Sequence, residues 1–439
     1  MNALFGEHIA ILQQRYEESL RLLAEDGIVI EAVLLHSGNE DYYFADDREI
    51  PFRAHAHFNH WVPVNRPDQM VLIVPGQTPT YFQEQKADFW YDQSIENESW
   101  WAEHFTIVAL KKASEVMDHL PGGIRRIAFL GAHTSFASEM GLPSNLHNEK
   151  NLCNRLDYHR SLKTDYEVAV IREANVRALE GHAAASAAFA EGKSEKAIHQ
   201  AYLAACDVTD LDLPYHNIVA LDEKGAILHY QNRRDTPGVD QQVLLVDAGY
   251  RLQCYASDIT RTTVRETTHP VFQEVSRRVN QLQLDLVDVC KVGNLYEDLH
   301  KGAVSATLDI LMDLEIVSGD RDEMTEAGVA RLFFPHGIGH MLGIQVHDVG
   351  GLFADASGNL LPPAEEHKHL RMTRSLEDGM VYTIEPGIYF IPVLLNPERE
   401  TPKGAFLNWS LVDELIPLGG ARFEDNILIT ADGPVNLTR

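Results

Sequence analysis

A chain of 439 residues is too long for one compact core, so its length predicts two domains. Hydrophobic residues make up 45% of the chain and charged residues 23%, as in an ordinary globular protein. The formal net charge of −28 argues against nucleic acid or an anionic membrane as a partner, because both require a basic surface.

The sequence also carries information about the compartment. Its longest apolar runs are far shorter than a membrane span, and the N-terminal segment lacks a basic stretch followed by an apolar core. The four cysteines contain no CxxC pair, so we expect neither a disulfide framework nor a zinc knuckle: Cys153, Cys206, Cys254 and Cys290. These features predict a cytoplasmic protein with no membrane partner.

Helix and strand patterns alternate in the first part of the chain and predict an α/β domain over residues 1–160. Helices are predicted at 5–25 and 112–120, and strands at 28–35, 70–74, 78–83, 105–110 and 126–131. The second and third strands form a predicted hairpin around Pro75, Gly76 and Gln77.

A segment rich in histidine and aromatic residues interrupts this domain at 41–63. His55, His57 and His60 lie close together in it, which raises the possibility of a metal site. Their polar setting between prolines favours a surface or interface loop instead.

The second predicted domain, residues 161–439, begins with a long helical pattern from Thr164 that Gly192 ends. Further helices are predicted at 194–205, 270–291 and 295–314, and strands at 214–220, 226–230, 380–390 and 422–429. The order of helix pairs and hairpins suggests a duplicated half-domain, although no residue-level repeat supports it.

Two aspartates mark the ends of apolar strands in this second domain. The run Val243 to Val246 ends in Asp247, and the chain returns as a predicted strand through Asp258. A hairpin would bring these carboxylates side by side, which is costly unless a cation lies between them. The alternative is that one aspartate belongs to the turn and the other caps a local N–H group.

Four later stretches offer further ligands. His336 and His340 lie in the tight loop FPHGIGH, His347 follows in QVHDVGG, Glu385 lies in VYTIEPGIYF and Glu424 in ARFEDNILIT. Taken singly, such a Glu usually faces solvent, and a lone His such as His229 in ILHYQ is usually a core residue. Jointly, four acids and one imidazole suit hard or borderline divalent ions, with charge enough for two.

The ordered motifs resemble those of the pita-bread metallopeptidases, the group of methionine aminopeptidase, aminopeptidase P and prolidase. DAG with YxxDxTRT, PHGxGHxxGxxVHD, TxEPGxY and RxED occur here in that family's order. Where the family often has GIRIED, this chain has Gly420 to Asp425 reading GARFED. The resemblance implies an α/β N-terminal creatinase-like domain plus an α+β pita-bread C-terminal catalytic domain.

The resemblance also implies roles for individual residues. Two divalent ions, with Mn²⁺ as the family's usual metal, would be held by Asp247, Asp258, His340, Glu385 and Glu424, with Asp258 and Glu424 as bridges. Glu385 would act as general base and then acid. His347 would contact the scissile amide, His229 would lie near the leaving group, and His336 would stand behind the ligands. Arg422 would orient Glu424 or an adjacent carboxylate.

Within the family the chain is most similar to bacterial Xaa-Pro dipeptidases, in the branch that includes organophosphorus acid anhydrolases. Arg374 stands where prolidases bind the proline carboxylate, whereas without the family it would be interpreted as a solvated loop cation. The branch implies a pocket lined by Tyr215, Tyr296 and Leu370, and a homodimer in which Asp47 reaches the substrate ammonium in the neighbouring subunit. Alternatives are an aminopeptidase P acting on longer peptides, and a binding protein without catalysis. Hydrolysis of phosphotriesters is a possible side activity.

Overall fold

The computed structural model describes residues 2–85, 89–90, 98–122 and 124–439. Contacts between backbone positions divide the chain into two compact units, Met1–Ala169 with Ala354–Asn359, and Val170–Phe353 with Leu360–Arg439. The boundary proposed from sequence, after residue 160, lies at the end of a helix just before this division.

The first unit contains a five-stranded mixed sheet of order β4-β3-β2-β1-β5. Its strands are β1 (Ala32–His36), β2 (Met70–Ile73), β3 (Thr80–Glu84), β4 (Thr106–Leu110) and β5 (Ile127–Leu130). The helices are α1 (Asn2–Glu25), α2 (Ala56–Trp61), α3 (Ser135–Glu139), α4 (Lys150–Arg160) and the start of α5 (Asp165–Ala190). β1 lies between β2 and β5, and every one of its residues is buried, as expected of a continuous apolar run.

Most elements of this unit agree with the sequence patterns. The hairpin is confirmed, because β2 and β3 pair antiparallel with Met70 opposite Phe82, and Gly76 adopts φ +73° in the turn. The strand predicted from residue 28 begins only at Ala32. The helix predicted at 112–120 is a 3₁₀ helix, Ala113–His119.

The interpretation of the histidine-rich segment as a surface loop is wrong for His57 and His60. Both belong to α2, which buries every residue from His57 to Trp61. Burial of Phe58 and Trp61, neither of which exposes any surface, draws the polar residues of this short helix inward with them.

The second unit holds several small antiparallel sheets, of orders β10-β7-β6, β11-β14-β15, β12-β13 and β8-β9. Its strands are β6 (Ile218–Leu221), β7 (Val243–Ala248), β8 (Arg251–Leu252), β9 (Tyr255–Ala256), β10 (Ile259–Val264), β11 (Val381–Ile384), β12 (Gly387–Tyr389), β13 (Gly420–Arg422), β14 (Asp425–Thr430) and β15 (Gly433–Asn436). Its helices after α5 are α6 (Glu195–Cys206), α7 (Pro270–Asp288), α8 (Tyr296–Asp313), α9 (Arg321–Glu326), α10 (Pro392–Leu395) and α11 (Trp409–Leu415).

The predicted strand at 226–230 does not form. A 3₁₀ helix, Asp222–Ala226, occupies its start and a turn follows, so His229 is exposed and does not lie on a strand. The backbone N–H of Ile227 donates to the carbonyl oxygen of Lys224 at 2.9 Å and that of Tyr230 to the carbonyl oxygen of Ile227 at 3.1 Å, so these groups form turns and no strand ladder. At the start of the segment, Oδ1 of Asp222 accepts hydrogen bonds from the backbone N–H groups of Gln242 and Val243. The segment therefore folds back against the start of β7.

The two late strand patterns are each divided. Residues 380–390 form β11 and β12 on either side of Glu385 and Pro386, and residues 422–429 end β13 and begin β14 around Glu424. A proline lacks the N–H group that a strand ladder requires, which accounts for the first interruption. Both acids consequently stand at strand ends. Among the described residues, no helix has the length and apolar character needed to cross a membrane.

Candidate active site

The aspartate hairpin forms as the apolar pattern predicts. β7 and β10 pair antiparallel with Asp247 opposite Thr260, and Asp258 lies immediately before β10. The hydroxyl of Tyr215 lies 2.8 Å from Oδ1 of Asp247 and 2.6 Å from Oδ1 of Asp258. The hydroxyl of Tyr215 has a single proton, so it donates a hydrogen bond to only one of the two carboxylates at a time, and their negative charges remain close together.

The loop after Phe334 presents His340 to these carboxylates. The backbone N–H of His340 donates to Oγ1 of Thr383 at 3.1 Å, and its Nδ1 lies 3.0 Å from the carbonyl oxygen of Met341. A carbonyl only accepts, so Nδ1 carries the proton and Nε2 presents its lone pair. Gly339 permits this approach, since a Cβ there would lie 2.1 Å from the carbonyl oxygen of Thr383.

Backbone contacts place the two glutamates. Glu385 follows β11, and its N–H donates to the carbonyl oxygen of Ile338 at 2.8 Å. Glu424 forms an isolated bridge with Thr260, whose hydroxyl donates to Oε2 of Glu424 at 2.7 Å. Glu385 and Glu424 both lie where the strand pairing is interrupted, and both side chains are directed toward His340.

All five predicted ligands come together in the second unit. Nε2 of His340 lies 3.4 Å from Oδ2 of Asp258, 3.8 Å from Oε1 of Glu385 and 4.0 Å from Oε1 of Glu424. Tyr215 connects Asp247 to the same group. Four carboxylates and an imidazole lone pair facing one another are mutually repulsive unless cations lie among them, so the donor set fits divalent metal ions.

The titration behaviour of the cluster reflects this crowding. Burial and the charge of Asp247 raise the pKa of Asp258 well above its ordinary value. Burial and neighbouring carboxylates likewise raise the pKa of Glu385 and of Glu424. Burial lowers the pKa of His340, which keeps its imidazole neutral. Protons and metal ions would therefore compete for the same oxygens.

Arg422 is buried beside the cluster and makes three directed contacts. Its Nη2 donates to Oδ2 of Asp247 at 2.6 Å, its Nη1 to the hydroxyl of Tyr389 at 2.9 Å, and its Nε to Oγ1 of Thr260 at 3.0 Å. The sequence analysis named Glu424 or an adjacent carboxylate as the partner of Arg422, and the carboxylate that it contacts is that of Asp247. The guanidinium of Arg422 therefore contacts only protein groups through these three nitrogen atoms.

The three remaining histidines of the prediction lie around the cluster. His336 contacts the hydroxyl of Tyr389 through Nε2 at 2.8 Å, and burial lowers its pKa to about 3. The ring of His347 stands nearly perpendicular to that of His340, with centroids 4.3 Å apart. His229 is exposed, yet its charge lowers the pKa of both His336 and His347, so it lies near them.

The residues predicted to line the substrate pocket occupy different environments. Tyr215 lies between two carboxylates, whereas Tyr296 exposes none of its surface and donates its hydroxyl to the carbonyl oxygen of Thr383 at 2.8 Å. Leu370 is also buried, next to Gly337. Tyr296 and Leu370 therefore pack against the loop that carries His340.

Arg374 is not a solvated cation, because only 4% of it is exposed. It forms an ion pair with Glu377, and its Nη1 donates to the carbonyl oxygen of Gly350 at 3.2 Å. Asp47 belongs to the first unit, where it is exposed and its N–H donates to Oδ1 of Asp46. The contact of Asp47 with a neighbouring subunit stays a prediction.

Sequence reasoning missed two residues that shape the cluster. Thr260 contacts both Glu424 and Arg422, and Tyr389 contacts both Arg422 and His336. Both lie inside motifs that were recognised, DITRT and TIEPGIY. Their position inside these motifs was a signal that could have identified them. The patterns of apolar and acidic residues do not predict which hydroxyl groups form hydrogen bonds between the charged residues.

Fold and site together define a two-domain metallopeptidase. Residues 169–431 match metallopeptidase family M24, and residues 3–158 match the family described as Xaa-Pro dipeptidase, N-terminal domain. The chain belongs to metallopeptidase family M24. The predicted architecture, an α/β N-terminal domain followed by a pita-bread domain, is confirmed.

Individual relatives cover the whole chain. The Xaa-Pro dipeptidase of Shewanella pealeana is 40% identical over 437 residues, which is 99% of this chain and 97% of the relative. That of Pseudoalteromonas atlantica is 40% identical over 441 residues, 99% of this chain and 98% of the relative. Among solved structures, the low-pH form of Escherichia coli aminopeptidase P has a TM-score of 0.72 at 23% identity and covers 97% of this chain and 94% of that one. Proline aminopeptidase P II from Yersinia pestis has a TM-score of 0.71 at 23% identity, with coverages of 97% and 96%. At that identity the structures establish the fold alone.

Proposed function

We propose that this protein is a dinuclear metal-dependent Xaa-Pro dipeptidase. The convergence of Asp247, Asp258, His340, Glu385 and Glu424 carries the proposal, since this oxygen-rich set with one neutral imidazole suits two divalent ions. Relatives named Xaa-Pro dipeptidase at about 40% identity over nearly the full length support the substrate class.

The metal ligands divide between the two ions. Asp247 would hold one ion, His340 and Glu385 would hold the other, and Asp258 and Glu424 would serve both. Mn²⁺ is the proposed metal, because carboxylates dominate the set. The ions supply Lewis-acid polarisation of the carbonyl and lower the pKa of a water molecule.

Glu385 serves as the proton carrier. Its pKa is raised by burial and by Glu424, so it is suited to take a proton from the attacking water and return it to the leaving nitrogen. An Xaa-Pro bond has no N–H group, so the enzyme must recognise the carbonyl and the two ends of the substrate instead. His347 contacts the carbonyl region, and His229 lies on the leaving-group side.

Arg374 binds the proline carboxylate in this proposal. The buried guanidinium is matched to a carboxylate, and Glu377 already occupies part of its fork. Tyr215 lines the pocket where it meets Asp247 and Asp258. Asp47 accepts the substrate ammonium across a homodimer interface, and a cytoplasmic location agrees with four free cysteines.

The decisive experiment uses chelated full-length protein. Ala-Pro, Ala-Pro-Ala and a phosphotriester are assayed before and after Mn²⁺ is restored, with Glu424→Gln as the control that lacks one bridging carboxylate. We expect metal-dependent cleavage of Ala-Pro and little cleavage of the tripeptide. Preference for Ala-Pro-Ala would favour an aminopeptidase P activity, and no turnover of either peptide with metal bound would overturn the proposal.

A further inference from the structure

A second cluster of metal-ligating side chains lies in the first unit, in a region that contributes none of the five ligands above. His8 comes from α1, His60 from the last turn of α2 and Glu167 from the first turn of α5. Their exposed fractions are 1%, 5% and 0% respectively. We call this group the His-His-Glu cluster. Three ionisable side chains buried together need a chemical reason.

The spacing of the ligand atoms is that of a small metal site. Nε2 of His60 lies 3.3 Å from Oε1 of Glu167, and Nδ1 of His8 lies 3.9 Å from Oε2 of Glu167. One ligand atom from each residue falls within 4.8 Å of the others. A tetrahedral ion with bonds of about 2.0–2.1 Å separates its ligand atoms by about 3.3–3.5 Å, close to the shorter distance observed.

Two of these atoms lie close together without the geometry of a hydrogen bond. Nε2 of His60 and Oε1 of Glu167 are both buried and have no hydrogen-bond partner, although only 3.3 Å separates them. An N–H group aimed at the oxygen would bond at that distance, so the two atoms attract each other electrostatically while each keeps its directed bonding capacity for a ligand. Orphaned buried polar atoms of this kind are rare and call for a ligand.

The other contacts set the protonation of the cluster. Nε2 of His8 donates to the carbonyl oxygen of His60 at 2.8 Å, so Nδ1 keeps its lone pair and now accepts from the hydroxyl of Thr164. Burial lowers the pKa of His8, and it lowers that of His60 to about 4, so both rings are neutral near pH 7. Glu167 caps α5 by accepting from the N–H of Thr164 at 2.9 Å.

We propose that His8, His60 and Glu167 form a structural site for one Zn²⁺-class ion. Two neutral imidazoles and a carboxylate are the ligands such an ion prefers, and a water molecule or the hydroxyl of Thr164 completes the coordination. The ion joins α1, α2 and the start of α5, and it displaces the hydrogen bond from Thr164 to His8. The site does not depend on the proposed dipeptidase activity.

The test counts bound metal in the full-length protein. Wild type, His60→Asn and Glu167→Gln are chelated, reloaded with Zn²⁺, dialysed and analysed by plasma mass spectrometry. Glutamine can still cap a helix at the position of Glu167, so that variant preserves the fold better. His57→Gln is the matched control, because His57 is buried in the same helix but faces Asp157 at 3.3 Å.

We expect the two cluster variants to hold one ion fewer per chain than wild type, and His57→Gln to match wild type. An Asp258→Asn/Glu424→Gln variant should retain the ion of the His-His-Glu cluster while losing metal from the active site. When this variant is loaded with Co²⁺ instead of Zn²⁺, it should give tetrahedral absorption bands, and adding His60→Asn should abolish them. Equal metal content in wild type and both cluster variants, with circular dichroism showing all of them folded, would overturn the proposal. Loss of the ion in His57→Gln as well would do the same.

Discussion

The guanidinium of Arg422 donates a hydrogen bond from Nη2 to Oδ2 of Asp247 at 2.6 Å, joining the end of β13 to the end of β7. The two residues are far apart in sequence, and both lie in the second unit. A carboxylate held in this way presents its other oxygen in a defined direction, which is what a metal ligand requires.

Replacing Arg422 by lysine should keep the charge but lose the fork. A single ammonium cannot reproduce the directed contacts to Thr260, Tyr389 and Asp247, so we expect kcat/KM to fall about 10- to 100-fold, with weaker metal binding. Steady-state kinetics and metal titration measure this. Tyr389→Phe removes only one of the three contacts of Arg422, together with the contact between Tyr389 and His336, and should have a smaller effect on metal binding. Wild-type metal affinity in Arg422→Lys would contradict the assigned role.

The metal-free protein should become less stable as pH rises. The folded-state pKa values of Asp258, Glu385 and Glu424 are raised above their unfolded values, so their contribution is full below about pH 4 and is lost as pH rises through the raised values. Burial lowers the pKa of several histidines, which stabilises the fold as pH rises to about 6.5, so the effect of the acids is measured above that range. Calorimetry in chelator from about pH 7.5 to pH 9 should show a falling thermal midpoint. Glu424→Gln should flatten the curve, and Mn²⁺ should reverse it, because metal binding improves as ligands deprotonate. A midpoint that rises with pH in chelated protein would be inconsistent with repulsion among these acids.

Gly339→Ala should displace the loop that carries His340. Gly339 has φ +154°, and an added Cβ would collide with the carbonyl oxygen of Thr383. We expect activity to fall about 100-fold or more, since small displacements of a catalytic group are costly. Gly302→Ala on α8 is the control: nothing lies near its Cβ position, so activity should persist and stability should rise by about 0.5–1 kcal/mol. Comparable losses in both variants would rule out the specific clash.

His347→Asn should reduce kcat more than it raises KM. Its ring packs against that of His340 with centroids 4.3 Å apart, beside the metal ligands. Burial lowers the pKa of His347 to about 3, so it remains neutral across the working range and should not set the acidic limb of the pH profile. Loss of a neutral hydrogen-bonding group in an active site costs about 10²–10³ in kcat. His133→Asn, an exposed histidine of the first unit, should leave kinetics unchanged.

Arg374→Lys should mainly raise KM for Ala-Pro, because lysine loses the two-pronged contact with a carboxylate. An increase of about tenfold is expected from the weakening of one charged contact. Glu377→Gln, measured in parallel, separates this effect from the loss of the Arg374–Glu377 ion pair. If Arg374→Lys lowers kcat with KM unchanged, carboxylate recognition belongs to another residue.

Much of the architecture was accessible from residue patterns. The apolar runs ending in acids predicted where Asp247 and Asp258 stand, and the helix signals located α1, α5, α7 and α8 within a few residues. Where a side chain bonded to the backbone of a distant segment, the pattern misled. Asp222 accepts hydrogen bonds from the backbone of Gln242 and Val243, and the segment after it forms the end of a 3₁₀ helix and a turn instead of the strand predicted at 226–230, with His229 exposed.

The chain alone predicted the family, the two-part architecture and the set of five converging side chains, because strand periodicity and ordered motifs are local properties. Only the folded molecule decided which partner each of these groups has. In the folded molecule Arg422 contacts Asp247 and the buried Arg374 pairs with Glu377. His60 lies beside His8 and Glu167, which are distant from it in sequence. Such pairings depend on how separate elements pack, and the order of residues in the sequence does not give the distance between side chains on different elements.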